Sequence, residues 1–349
     1  MRAFVAVAIL VVASACSRGD ALKWSAPHAG WLVVSDETGG NLVLVDPDRG
    51  SVEGRVAVGK RPRGVRVSRD GTQILTALSG SPIAGPGVDE STLPPADRSA
   101  DGIGVIEARS GKVLRLLSSG ADPETFDISP DGSIAYVSNE ETRELSAIDI
   151  PGGTLRGRAE VGPEPEGVTV TADGKTVYVT CEGDNTVYAV DTSTLTVRAR
   201  IDTGPRPRAV AVTRNGSGLL ITSENGAVVS VADGTTAQHL ADITIPEISG
   251  APTAPRPMGI VFSADEQRAY VSLGRAGAIA VLDVPHRGVE KIITGVGARP
   301  WGIAVSADGR TLYTANGPSG DVAVIDIAAG RVTRQIAVGG SPWGVAVLR

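Results

Sequence analysis

Short runs of β-branched and aromatic residues alternate with polar turns along nearly the whole chain. One representative unit contains four such runs, at residues 168–171, 177–180, 187–191 and 197–201. The first two are separated by Asp173-Gly174, which favours a tight hairpin because glycine adopts positive φ angles at little steric cost. Beyond the extreme N-terminus, no long stretch has the period of about 3.6 residues that marks an amphipathic helix. The pattern therefore predicts antiparallel β-structure.

A short motif built around a proline, here called the proline phrase, recurs once in each of these units. Its prolines are Pro62, Pro123, Pro165, Pro207, Pro257, Pro300 and Pro342, which are 61, 42, 42, 50, 43 and 42 residues apart. Four short strands in a repeat of about 40–45 residues match one blade of a β-propeller. We therefore predict an all-β fold, a seven-bladed β-propeller of four-stranded antiparallel blades. The two longer intervals indicate insertions at residues 79–100 and 244–255.

The two ends of the chain are predicted to share one blade. After Pro342 the sequence has room for a single strand, at residues 345–348, whereas three further strands are expected at residues 31–35, 41–46 and 51–58. Joining them in one sheet would close the ring and remove its open edges. This arrangement predicts one propeller domain over residues 29–349 and no second domain.

Two strand motifs relate the chain to a known family. One is Tyr178-Val179-Thr180, and the other is a Val-Asp or Ile-Asp pair that ends the third strand at Asp46, Asp149, Asp191, Asp283 and Asp326. On these motifs the chain resembles the YVTN-type β-propeller repeat proteins over residues 31–349.

The order of the proline phrases along the chain relates it to one subgroup of this family. Asp-Pro-Glu at 122–124, Glu-Pro-Glu-Gly at 164–167, Arg-Pro-Arg at 206–208 and Pro-Trp-Gly at 342–344 are similar to the subgroup associated with catabolism dependent on pyrroloquinoline quinone. The resemblance implies a helper role beside quinoprotein alcohol oxidation. It also implies that each phrase opens the innermost strand of its blade.

The N-terminus has the features of an export signal. Arg2 precedes an apolar run over residues 4–12, and Ala13-Ser14-Ala15 then leads to Cys16. We predict a lipoprotein signal peptide over residues 1–15, lipidation of Cys16 and a tether over residues 16–28, which would make the protein a periplasm-facing lipoprotein of the bacterial cell envelope. Plain cleavage after Ala15 is the alternative. The membrane would be contacted only through this anchor.

Composition excludes several classes of function. The net charge is −6 with a pI of about 5.3, and the basic residues do not form a stripe, so no nucleic-acid binding is expected. The three histidines occupy unrelated repeat positions, and the sequence has no haem-attachment motif, nucleophile elbow or phosphate loop. We therefore expect no cofactor, no bound metal and no catalytic residues, in a protein that is monomeric. The lone mature cysteine, Cys181, is interpreted as a buried apolar residue.

Charged and aromatic residues of the phrases are predicted to gather at one end of the central channel. Because strands alternate in direction, the phrases and the loops that follow each second strand lie on the same face, which we call the mouth. Its predicted ligand-binding residues are Arg61, Arg63, Glu124, Glu140, Glu166, Glu182, Arg206, Arg208, Glu224, Arg256, Arg299, Trp301, Asn316 and Trp343. Arginine and tryptophan are frequent anchors of binding surfaces.

Three functions fit this mouth, besides a purely structural ring of ion pairs. The favoured one is a non-catalytic binding or accessory module for a small anionic or flat ligand, or for a periplasmic protein partner. The second is a lactonase-like hydrolase with a metal held by Glu124, Glu140, Glu166 and Glu182. The third is a scaffold for a periplasmic complex. Under the first hypothesis, truncating Arg63 or Arg208 is expected to weaken binding and to leave the melting temperature nearly unchanged.

Overall fold

Seven four-stranded antiparallel sheets form a β-propeller in the computed structural model, which describes residues 23–83, 89 and 92–349. The predicted fold class is confirmed. The first four blades consist of the strands β28 (Pro342–Val347), β1 (Leu32–Asp36), β2 (Asn41–Asp46) and β3 (Ser51–Ala57) in blade 1; β4 (Val65–Val67), β5 (Gln73–Leu78), β6 (Gly102–Glu107) and β7 (Val113–Leu117) in blade 2; β8 (Pro123–Ile128), β9 (Ile134–Asn139), β10 (Glu144–Asp149) and β11 (Thr154–Glu160) in blade 3; and β12 (Pro165–Val170), β13 (Thr176–Cys181), β14 (Thr186–Asp191) and β15 (Thr196–Asp202) in blade 4.

The other three blades repeat this order from the inner to the outer strand. They consist of β16 (Pro207–Val212), β17 (Gly218–Ser223), β18 (Val228–Asp233) and β19 (His239–Thr244) in blade 5; β20 (Ile260–Phe262), β21 (Arg268–Ser272), β22 (Ala278–Asp283) and β23 (Gly288–Thr294) in blade 6; and β24 (Pro300–Val305), β25 (Thr311–Asn316), β26 (Asp321–Asp326) and β27 (Arg331–Ala337) in blade 7. No helix of the described chain is long and apolar enough to cross a membrane.

Blade 1 closes the ring from both ends of the chain, as the sequence predicts. The C-terminal strand β28 pairs antiparallel with β1, with Leu32 opposite Val347 and Val34 opposite Val345. The order β28-β1-β2-β3 therefore makes the last strand of the chain the innermost strand of the first blade. Closure removes an open sheet edge on either side of the seam.

The apolar core lies between neighbouring blades, where the faces of adjacent sheets pack together. Between blades 3 and 4, for example, Tyr136 packs with Val177 and Tyr188. The inner strands leave a narrow axial channel with a cavity of about 160 Å³. Each blade therefore depends on both of its neighbours for burial, which makes the ring cooperative.

The first described residues pack on the propeller at the side opposite the mouth. Trp24 Nε1 donates to the carbonyl oxygen of Ala108 at 2.8 Å, beside the β6–β7 turn. Ser25 bonds the carbonyl oxygen of Glu53 on β3 through its backbone N–H and its hydroxyl, at 3.3 and 2.8 Å. Residues 23–28 of the predicted tether thus lie against blades 1 and 2. The predicted signal peptide and Cys16 lie outside the described residues.

Candidate functional site at the mouth

The proline phrases begin the inner strands, and their backbone directs the charged residues. Five of these strands start at the phrase proline itself, at Pro123, Pro165, Pro207, Pro300 and Pro342. The residue before the proline has a positive φ in five phrases, at Arg61, Asp122, Glu164, Arg206 and Arg299, with values of 42–60°. This left-handed conformation is uncommon for such residues. Its recurrence at one repeat position shows that these five phrases share one backbone conformation before the proline.

Buried serine and threonine hydroxyl groups hold the residue that follows the phrase proline. The sequence analysis did not predict this role. The second strand of each blade carries a fully buried serine or threonine at the same place. These residues are Ser35, Thr76, Ser138, Thr180, Thr222, Ser272 and Thr314. Five of them bond across to the next blade, where they donate to the carbonyl oxygens of Arg63, Glu166, Arg208, Met258 and Trp301 at 2.6–3.1 Å.

The same five hydroxyls also accept a backbone N–H within their own blade. Thr180 Oγ1, for example, accepts from Gly167 N at 2.7 Å while it donates to the carbonyl of Arg208. Each hydroxyl therefore joins two inner strands and sets the position of a mouth residue. The sequence does contain a signal for these hydroxyls, because a serine or threonine recurs at nearly the same spacing as the phrase prolines.

The mouth opens into a cavity of about 790 Å³. Ten of the fourteen residues predicted from the sequence line it: Arg61, Arg63, Glu124, Glu140, Glu166, Arg206, Arg208, Arg299, Trp301 and Trp343. Described residues of the first insertion, among them Pro82, Ile83 and Pro94, form part of its wall. The topology thus brings together residues that are far apart in sequence.

The other four predicted residues lie behind or beside the cavity. Glu182 and Glu224 are buried under the arginines of blade 5, and Arg256 pairs with Glu224 at 3.0 Å. Asn316 is fully buried and does not face the mouth. Its Nδ2 donates to the carbonyl of Val296 at 2.7 Å and to Asp321 at 2.6 Å, so it ties a strand end together inside blade 7.

Arg63 is the centre of a first ion-pair cluster. Its guanidinium pairs with both Asp122 and Glu124 and donates to the carbonyl of Pro123 at 2.8 Å. Burial of Asp122 opposes ionisation, but the charges of Arg63 and Arg61 and a hydrogen bond from Ser79 outweigh it and lower the pKa of the Asp122 carboxyl. The cluster therefore holds the Asp122 carboxylate ionised.

Arg208 is the centre of a second cluster. It pairs with Glu166 and Glu182, and its Nε lies 3.3 Å from a carboxylate oxygen of Glu224. Arg206 bridges Glu182 and Glu224 from the solvent side, at 2.8 and 3.1 Å. Burial opposes ionisation of Glu224, but Arg208 leads the cations that overcome it and lower the pKa of this carboxyl.

This geometry corrects the expectation for Arg63 and Arg208. Arg63 is 2% exposed and Arg208 is 8% exposed, and each guanidinium binds two or more buried carboxylates. Removing either arginine would leave buried negative charges without a partner, which costs far more than losing a surface charge. In contrast to the expectation from the sequence, we therefore expect these truncations to lower the melting temperature.

One cation of the mouth has no acidic partner. No described carboxylate lies within ion-pair distance of Arg299, whose guanidinium lies over the Trp301 ring at 4.6 Å. Arg208 also lies over this ring, at 4.7 Å, and the centroid of Trp343 is 5.4 Å from that of Trp301 at an interplanar angle of 37°. Burial and the nearby Arg208 lower the pKa of Arg299, although an arginine of this kind stays charged at neutral pH.

One carboxylate of the mouth is also free of a cation. Glu140 follows β9 and makes no side-chain ion pair with any described residue. Burial, together with the charges of Glu166 and Asp122, raises the pKa of Glu140 to about 7. Its charge therefore changes near neutral pH.

The acidic residues could offer ligands to a metal only in competition with arginine. Ligand oxygens of Asp122, Glu124 and Glu140 lie within 4.8 Å of one another. Arg63 already pairs with Asp122 and Glu124. Of the four ligands considered in the hydrolase hypothesis, Glu166 and Glu182 instead pair with Arg208.

Cys181 is fully buried in the core between blades 3 and 4. Burial, reinforced by the charge of Asp184, raises the pKa of its thiol well above the ordinary range. A thiol in this state is a poor nucleophile.

Two family models match the chain. The YNCE-like beta-propeller model matches residues 155–349, which is more than half of the chain. The choice-of-anchor I domain model matches residues 32–202. No curated protein matches the chain.

Many solved structures have a similar fold. The periplasmic gluconolactonase of Pseudomonas aeruginosa is 18% identical, with a TM-score of 0.71, and the match covers 91% of this chain and 99% of that chain. A putative 6-phosphogluconolactonase of Bacteroides fragilis is 16% identical, with a TM-score of 0.71 and coverages of 91% and 98%. The hydrazine synthase of Kuenenia stuttgartiensis is 19% identical, with a TM-score of 0.66 and coverages of 81% and 88%. At these identities the similarity establishes the fold, and a shared fold does not determine function.

Proposed function

The chain belongs to the YNCE-like beta-propeller family, and we propose from the geometry of its mouth that it is a non-catalytic binding module that holds a small, flat, anionic ligand there. The observation that carries this proposal is Arg299, a half-buried cation that lies on the ring of Trp301 without an acidic partner. A carboxylate of the ligand would pair with this guanidinium, since arginine binds carboxylates through two parallel hydrogen bonds. The ring of the ligand would stack against Trp301 or Trp343.

We propose further that this ligand belongs to metabolism dependent on pyrroloquinoline quinone. The support is the order of the phrase residues, among them Asp122-Pro123-Glu124 and Pro342-Trp343-Gly344, which is similar to the subgroup associated with that metabolism. The quinone itself is a flat heteroaromatic polycarboxylate. It is therefore a suitable probe for a mouth that combines an unpaired arginine with two tryptophans.

Adding the quinone or benzoate is expected to quench the tryptophan fluorescence of the wild-type protein in a saturable way. Arg299→Gln should weaken this binding by about tenfold or more, because it removes a charge-assisted pair. It should leave the melting temperature nearly unchanged, since no described carboxylate forms an ion pair with Arg299. Titration and thermal melting of both proteins give the two readouts.

Arg310→Gln is the matched control for this prediction. Arg310 is an exposed arginine of the same blade, in the β24–β25 turn on the face opposite the mouth. Binding should be unaffected in this variant. The proposal is wrong if neither probe binds the wild type, or if Arg299→Gln and Arg310→Gln bind alike.

A metal-dependent hydrolase is the second candidate, favoured by the proximity of Asp122, Glu124 and Glu140. In that case Arg63 would have to release the first two carboxylates to the metal. Stoichiometric metal in the purified protein, with lactone hydrolysis that a chelator abolishes, would replace the binding proposal by this one. Co-purification of a partner protein with no small-molecule binding would favour the scaffold.

We also propose that the protein is exported and anchored in the cell envelope through lipidated Cys16, with the mouth directed away from the membrane. The support for this orientation is Trp24, which joins the propeller beside the β6–β7 turn, on the side opposite the mouth. An anchor attached through residues 16–22 would therefore hold the opposite side of the disc towards the bilayer.

Cys16→Ala is expected to move the protein from the membrane fraction to the soluble fraction, or to leave its signal peptide uncleaved. The measurement is fractionation of cells followed by mass analysis of the N-terminus. Cys181→Ala is the control, since its buried thiol is unavailable for modification and the variant should stay in the membrane fraction. A wild-type protein that is soluble, with a free amino group at residue 16, would contradict lipidation.

A further inference from the structure

The charged groups that line the mouth neutralise one another almost completely. Arg63 and Arg208 form the two clusters described above, Arg61 pairs with Glu37 at 3.0 Å, and Arg98 pairs with Glu141. Among the described lining residues, three remain without an ion pair: Arg299, Glu140 and Glu164. Glu164 is exposed at the rim, where water solvates its charge. Arg299 and Glu140 are both partly buried in the cavity wall.

These two unpaired charges belong to blades that are not neighbours in the ring. Arg299 belongs to blade 7, and Glu140 follows the second strand of blade 3. Blades 4, 5 and 6 separate them on one side of the ring, and blades 1 and 2 on the other. They are therefore too far apart in the ring to be neighbours, yet both line the same cavity of about 790 Å³.

The surroundings of Glu140 lack a group that would stabilise its charge directly. Asp122 and Glu124 of blade 3 and Glu166 of blade 4 approach it with negative charge, while Arg63 of blade 2 and Arg208 of blade 5 are committed to other carboxylates. A partly buried carboxylate among other carboxylates is costly to ionise unless a cation arrives. A ligand that brings a cation would supply the missing partner.

We propose that the ligand of the mouth is dipolar, with a cationic amine that pairs with Glu140 and, at its other end, a flat carboxylate-bearing group that binds Arg299 and Trp301. This inference rests on the proposed binding function and specifies its ligand class. One molecule of this kind satisfies both unpaired charges and leaves the two arginine clusters intact. A ligand that carries only a carboxylate can pair with Arg299 but leaves Glu140 without a partner.

The experiment uses para-(aminoalkyl)benzoates of increasing arm length, each compared with the para-alkylbenzoate of the same length. For the best arm length, the amine is expected to improve affinity by about tenfold or more, as a charge-assisted pair should. Calorimetric titration of each matched pair under the same conditions measures this gain.

Glu140→Gln should remove the gain from the amine, while the alkylbenzoates still bind. Glu160→Gln, on the outer strand of the same blade, is the matched control and should behave as the wild type. An amine that confers no gain at any arm length, or a gain that persists in Glu140→Gln, overturns the dipolar ligand but leaves the binding function standing. Failure of both probe series to bind overturns the proposed function and this inference with it.

Discussion

Deleting residues 344–349 is expected to abolish cooperative folding of the whole propeller, far more than the loss of a terminal strand suggests. These residues carry most of β28, the inner strand of blade 1. Val345 and Leu348 are 7% and 4% exposed and pack into two different interblade clusters, on either side of blade 1. Without them, β1 becomes an open edge and the ring is interrupted.

The size of this effect follows from burial. Each fully buried aliphatic side chain contributes about 1.5–3 kcal/mol, and the deletion also removes the backbone pairing with β1. A total of several kcal/mol is comparable with the whole stability of a typical domain, about 5–15 kcal/mol. Thermal and urea unfolding followed by circular dichroism should show a loss of the cooperative transition.

Deleting Arg349 alone is the control, because this residue is exposed and follows the last strand. It should melt as the full chain does. A truncated chain without residues 344–349 that still unfolds cooperatively at the unchanged midpoint would show that closure of blade 1 contributes little.

The repeat pattern predicts most of the fold, and its errors at strand ends have a physical cause. The run at 177–180 corresponds to β13, Thr176–Cys181, with one more residue at each end. The run at 168–171 corresponds to β12, which starts at Pro165 instead. Because proline lacks an N–H, the sequence suggests that no strand begins there. Pro165 nevertheless pairs with Cys181, and the register is irregular between Pro165 and Val168.

The position of the mouth could be predicted from the sequence, but the ion pairs among its charged residues could not. Strand alternation alone places the phrases on one face, which is why most of the predicted residues line the cavity. Whether a charged residue there is paired depends on distances between blades, which the sequence does not encode locally. Arg208 reaches Glu182, and Asn316 turns inward to the carbonyl of Val296, because of how neighbouring strands pack. Such packing makes Arg299, which has no acidic partner among the described residues, different from Arg208, which has several.

Replacing Arg208 with alanine is expected to cost about 3–5 kcal/mol of unfolding free energy at neutral pH or above. The substitution leaves Glu166, Glu182 and Glu224 buried at 6%, 6% and 7% exposure without their central cation. Water cannot replace the guanidinium at these exposures without opening the wall of the mouth. Urea unfolding at equilibrium gives the free-energy difference.

The cost should depend on pH in a defined direction. In the wild type the pKa of Glu224 is lowered, so its stabilising contribution is present above the unfolded pKa and is lost as pH falls. In the variant Glu224 loses the charge of Arg208 while burial still opposes its ionisation, so its pKa rises and its contribution to stability at high pH decreases. The difference between the two proteins should therefore be largest above neutral pH and should shrink towards about pH 4.

Arg206→Ala separates this effect from a simple loss of positive charge. Arg206 contacts two of the same carboxylates, Glu182 and Glu224, but its side chain is 44% exposed. Its removal should cost about 1 kcal/mol or less, because water takes over its role. Adding Glu182→Gln to the Arg208→Ala variant should recover part of the lost stability at high pH, since one uncompensated charge is removed. Equal costs for Arg206→Ala and Arg208→Ala, or no recovery in the double variant, would mean that the buried cluster is already hydrated and that its arginine is available to a ligand after all.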